Sequence, residues 1–107
     1  MSDITEGSGN VFEDLGYADA AERQVKTRLA LAVNDLLKER KLKQREIAAL
    51  LGVPQPKVSA LKHYRLDQFS VEKLMAFVTT LNHDVEIMIR PHAKPGEAGS
   101  ISVLAVH

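Results

Sequence analysis

Gly52, Pro54 and Pro56 fall within five residues, between two short stretches that carry apolar side chains at helical spacing, and nothing else in the 107-residue chain restricts its fold so tightly. On one side, Ile47, Leu50 and Leu51 form a stripe with the small Ala48 beside it, which lets a second helix approach closely. Glycine takes positive φ without steric cost, so Gly52 suits the cap where the first helix ends. Val53 fills the corner, and Pro54 bars the first helix from continuing. A second helix begins within residues 54–56, where proline's missing N–H costs nothing because first-turn donors have no intrahelical partner. Val58 and Leu61, three apart, turn inward. Gln55, Lys57, Ser59, Lys62 and His63 are left outward, and all of them can bond to base edges or phosphates.

Two short helices meeting at such a corner make a helix-turn-helix, a unit that holds its second helix in the DNA major groove. An ordinary antiparallel helix pair needs the same apolar positions. It has no reason to combine this glycine with so tight a turn.

Charge is partitioned in the same sense, although the chain is formally neutral. Residues 1–22 hold six acids and no Lys or Arg; residues 23–65 hold eleven Lys and Arg against three acids; residues 66–107 hold five acids against three bases. The net charges are therefore −6, +8 and −2. The basic third contains the helix-turn-helix, as phosphate neutralisation requires. The neutral total conceals this.

Along the chain, residues 1–18 read as an acidic, partly ordered segment with an apolar patch at Val11, Phe12, Leu15 and Tyr17. Asp19, with Glu22 three residues on, reads as the N-cap of a long helix. Val25, Leu29, Ala32, Val33, Leu36 and Leu37 form its stripe down to about Arg40, and Lys38, Arg40 and Lys41 suit the negative end of its dipole. Leu42 links this helix to the motif. After a loop over 65–68, Ser70 caps a further helix with Val71, Leu74, Met75, Val78 and Leu81 as its stripe, ending near Asn82. The period then changes from 3.6 to 2: Val85, Ile87 and Ile89 alternate with Glu86, Met88 and Arg90, a half-buried strand ended by Pro91. Residues 91–100 read as a linker. Residues 101–106 are open to two readings, a second short strand or a disordered tail.

The expected fold is therefore mainly α, a bundle of four to five helices over 19–91 with a C-terminal β-strand. A lone strand leaves a row of unpaired N–H and C=O groups. Val85, Ile87 and Ile89 accordingly read as a dimerisation strand pairing across a two-fold axis. Such a homodimer would present two recognition helices to successive major grooves, about 34 Å apart, and so read a palindromic operator in double-stranded DNA.

Other function classes find little support. The chain has no cysteine, which excludes disulfides and Cys-ligated zinc. The four histidines have no ligand spacing, so no metal or other cofactor is expected. No nucleophile, base and oxyanion arrangement suggests an enzyme. No apolar run approaches the about 18 residues of a membrane span, and a cytoplasmic protein is expected.

Counted from Gln44, the positions of Ala48, Gly52, Val53, Val58 and Leu61 match the helix-turn-helix of lambda-repressor-like, XRE-type regulators. More narrowly, the chain resembles the HigA-like antitoxins of that superfamily. The resemblance runs over residues 10–91 and is carried by Asn10–Gly16, by Gly52–Ser59, and by Phe69–Leu74 leading to Asp84–Pro91. It implies a dimeric repressor that binds its own operator and neutralises a RelE-fold, HigB-type ribonuclease toxin. A standalone or phage-type regulator, or an adaptor that has lost DNA binding, would share much of the pattern. The chain departs from many relatives in having Pro54 where Ser or Asp caps the recognition helix.

The candidate DNA-binding residues are Lys43, Gln44, Gln55, Pro56, Lys57, Ser59, Ala60, Lys62, His63 and Arg65. Gln44 resembles the residue that anchors the opening helix to phosphate, with Lys43 in support. Gln55 is the best base reader, since an amide can bond adenine in bidentate fashion. Pro56 offers only apolar contact, suited to a thymine methyl. Ser59 and Lys62 divide between bases and phosphates, Lys57 can reach either, His63 is placed to touch phosphate, and Arg65 grips the backbone. Glu46 and Asp35 are expected to form salt bridges, and the acidic N-terminal residues to face a basic toxin.

Overall fold

The computed structural model describes residues 19–106. Four helices occur among them: α1 (Asp19–Arg40), α2 (Gln44–Leu51), α3 (Gln55–Lys62) and α4 (Val71–Thr80). The patch at Val11, Phe12, Leu15 and Tyr17, and the first part of the HigA-like resemblance, lie outside the described residues.

Helix α1 is the spine, 22 residues long and so about 33 Å from end to end. Asp19, expected to cap it, is already its first helical residue. Its inward face is formed by Val25, Leu29, Ala30, Val33, Leu36 and Leu37. The expected stripe included Ala32, which is only half-buried; Ala30, fully buried, takes its place. Helix α1 packs chiefly against α4, and α2 chiefly against α3. The largest fully buried side chains, Phe77, Ile47, Leu61, Leu74, Val33 and Val58 from the four helices and Leu81 just after α4, belong to one core.

Helix α4 is capped as expected, the Ser70 hydroxyl accepting the Lys73 N–H at 3.0 Å. Its far end closes where Asn82 takes φ 66°, with the N–H of Asn82 bonded to the Thr79 carbonyl and that of His83 to the Val78 carbonyl. This left-handed closure satisfies the Val78 and Thr79 carbonyls of the last turn. Phe69 and Phe77, absent from the expected stripe, are both buried and meet edge to face at 5.9 Å between ring centroids. Phe77 follows Leu74 by three residues and belongs to the same face as Val78 and Leu81.

The C-terminal strand is not found. No β-strand exists among the described residues; residues 84–92 run without regular structure, with Ile87, Met88 and Ile89 exposed by 77%, 79% and 92%. A strand is defined by ladder hydrogen bonds to a neighbour, and none of the backbone groups of residues 85–90 is bonded within the described chain. The period-two pattern is present without a partner. Residues 101–106 form no strand either, yet Ile101 and Val103 pack against the core. Val103, Leu104 and Ala105 line a shallow cleft together with Arg28, Leu31, Ala32 and Asp35 of α1.

Candidate nucleic-acid interface

The corner between α2 and α3 has the expected construction. Gly52 takes φ 72°, ψ 34°, and the N–H groups of Gly52 and Val53 both go to the Ala48 carbonyl, at 2.9 and 3.0 Å. A Cβ on Gly52 would meet nothing within 4 Å, so the glycine is required by its backbone angle and not by crowding. Pro54 stands at the N-cap of α3 with Pro56 in its first turn. With no side-chain cap available, the Pro54 carbonyl accepts from Lys57 at 2.9 Å and Val58 at 3.3 Å, so the backbone alone starts the helix.

The two residues given the most specific roles are brought together. The Gln44 side chain, from the first turn of α2, donates to the Gln55 backbone carbonyl at 3.3 Å. One amide N–H and the amide oxygen of Gln44 remain for another partner. This bond ties the two helix N-termini, so the positions of Gln44 and Gln55 are coupled. Just before Gln44, the N–H of Lys43 is held by the Glu46 carboxylate at 2.7 Å. Lys43 has no acceptor to return the bond, so this is half of a reciprocal cap. Glu46 therefore caps α2 and is not the ion-pair partner expected of it.

At the other end of α3, the Asn34 amide of α1 donates to the Leu61 carbonyl at 3.1 Å, while its Oδ1 is buried without a partner. His63 Nδ1 lies 2.9 Å from the Ser59 carbonyl. A carbonyl only accepts, so Nδ1 carries a proton and Nε2 is left for an outside partner. The chain then reverses at Tyr64, φ 59°, where the Arg65 N–H returns to the Ala60 carbonyl at 2.8 Å.

Exposure sorts the candidates. Lys43, Gln44, Gln55, Pro56, Lys62, His63 and Arg65 are exposed, Ser59 and Lys57 half-buried. Lys57 does not point freely outward, because its ammonium sits over the Phe69 ring, 5.5 Å from the centroid. Ala60 is a correction: only 6% exposed, its methyl is too short to pass the side chains around it, and it serves packing. Sequence reasoning missed Asn34, which positions α3 from outside the motif. It also missed the grouping of Lys38 and Lys41 with Lys62 around an open cleft of about 290 Å³ between α1 and the end of α3. Their signal was the cluster Lys38, Arg40 and Lys41, to which sequence reasoning gave a role at the α1 dipole and no contact role. Among the described residues no three His, Asp or Glu gather as a metal site needs, and no helix is long and apolar enough to cross a membrane.

Comparison with known proteins agrees with this geometry. A helix-turn-helix domain family matches residues 11–90. A solved structure described as "Putative XRE Family Transcriptional Regulator" is 49% identical, superposes with a TM-score of 0.77, and is covered over 100% of its length by 83% of this chain. No curated protein matches. With the matched family spanning both helices of the corner and the likeness extending over the whole of the solved chain, this protein belongs to the helix-turn-helix domain family, among the XRE-type transcriptional regulators.

Proposed function

We propose that the protein is a sequence-specific repressor that binds a palindromic operator as a homodimer, inserting α3 into the major groove. The observation that carries this reading is the Gln44–Gln55 bond, which joins a phosphate anchor to a base reader on the exposed edge of the only strongly basic part of the chain. Gln55 bonds a base edge. Lys43, Gln44, Lys62 and Arg65 hold the sugar-phosphate backbone, with Lys38 and Lys41 extending the positive field. Pro56 gives apolar contact, and Ser59 and His63 Nε2 add polar contacts along the helix. Lys57 joins them only by leaving the Phe69 ring.

Binding of fluorescent duplexes from the DNA upstream of the coding sequence tests this reading. Gln55→Ala and Lys62→Ala should each weaken binding; if both bind as tightly as the parent, α3 is not the recognition helix. A protein-interaction adaptor would show no salt-sensitive duplex binding at all.

The HigA-like resemblance extends the proposal to an antitoxin that represses its own operon and neutralises a RelE/HigB-like ribonuclease, its acidic N-terminal residues facing the basic toxin. A standalone regulator fits the DNA-binding geometry equally. Co-expression with the product of the adjacent reading frame separates them: a stable complex that abolishes messenger cleavage supports the antitoxin, and an adjacent frame encoding no small basic protein favours the standalone regulator.

A further inference from the structure

Residues 85–90 combine three properties: an alternating pattern, a backbone without hydrogen-bond partners among the described residues, and exposed apolar side chains. Glu86, Met88 and Arg90 fall on one face by strand parity, and the structure agrees, since Arg90 Nη1 reaches back to Met88 Sδ at 4.0 Å. Val85, Ile87 and Ile89 form the opposite face. When such a segment pairs antiparallel with its own copy, the residue at the two-fold axis fixes every other pair, and cross-strand partners lie on the same face.

The charges select among these registers. Centring on Glu86 or on Arg90 sets two like charges directly opposite. Centring on Ile87 sets Asp84 opposite Arg90 but leaves Glu86 against the uncharged Met88, and centring on Ile89 leaves Arg90 against Met88, so neither register pairs both Glu86 and Arg90 with an opposite charge. Centring on Met88 sets Glu86 opposite Arg90 of the second copy and Arg90 opposite its Glu86, with Ile87 opposite Ile89 on the other face. Val85 then faces Pro91, whose missing N–H ends the ladder. We propose that Val85–Pro91 is a self-complementary pairing edge whose occupant is a second copy of this chain, in antiparallel register about Met88, with two Glu86–Arg90 pairs specifying the partner. This rests on the homodimeric reading above and adds its register and selectivity.

Glu86 and Arg90 are exposed in the single chain, so charge reversal there leaves the helical core intact. Sedimentation of the full-length protein should show a dimer. Glu86→Arg and Arg90→Glu should each raise its dissociation constant about tenfold at low salt, because two attractive pairs become two repulsive ones. Mixed together, the two variants should form heterodimers at near-parental affinity, since the mixture restores both pairs; native mass spectrometry with one partner tagged reads this directly. The chain has no cysteine, so single-cysteine variants give unambiguous cross-links. Met88→Cys should oxidise readily to a disulfide dimer and Ile87→Cys should not, its mate lying beyond the about 7 Å that a disulfide spans. A parent that stays monomeric overturns the register and the dimer together. A parental dimer indifferent to both reversals, without heterodimer preference, overturns the register alone and places the dimer contact elsewhere.

Discussion

The helical unit and the chain beyond it differ in whether one copy can complete its own pattern. From α1 to Asn82, each amphipathic stripe finds an opposing stripe, and the left-handed residues Lys41, Gly52, Tyr64 and Asn82 close the ends of successive helices. Residues 85–90 carry a pattern just as regular, yet their backbone has no partner among the described residues and Ile89 is 92% exposed. A helix satisfies its hydrogen bonds internally, whereas a strand requires a neighbour. The same clarity of sequence pattern therefore yields an ordered element in one region and an unpaired edge in the other.

The contrast can be broken or sharpened by substitution. Phe77→Ala, in the core, should cost about 3–5 kcal/mol of stability, whereas Ile87→Ala should change the single chain's stability by no more than about 0.5 kcal/mol. Urea unfolding of both, at a concentration where the chain is monomeric, checks the pair; equal losses would mean that residues 85–90 are packed in solution. Gln55→Ala should cost about 1–3 kcal/mol of operator affinity with stability unchanged, separating the recognition surface from the core beneath it. Gly52→Ala should destabilise by about 1 kcal/mol through its backbone angle alone, visible as a lower denaturation midpoint at unchanged slope. Smallest, Lys41→Gly should stabilise by up to about 1 kcal/mol, since Lys41 holds φ 53° in a conformation glycine adopts freely.

The corner was legible because its signals are local. Gly52, Pro54 and Ser70 act through their own backbone angles or on donors within three residues, so their types and spacing disclose their roles. Phe77 was legible too, three residues after Leu74, and was passed over. The Asn34 bond to the Leu61 carbonyl spans 27 residues and that of Arg40 to the Leu81 carbonyl 41. No local pattern encodes either, because each depends on where α1 crosses the other helices. Ala60 was misplaced since helical periodicity gives the direction of a side chain but not how closely the surrounding chain covers it. The strand was legible as a pattern but is no element of the single chain, because pairing is a property of two segments.

The central claim is that α3 reads DNA, with Gln55 on bases and Lys62 on phosphate, and a salt titration of duplex binding tests it most directly. Measured on operator and on unrelated duplex, Lys62→Ala should weaken both alike and reduce the slope of log K against log salt by about 0.9. Gln55→Ala should weaken the operator alone and leave the slope unchanged. Parental affinity and parental slope in both variants would contradict the account.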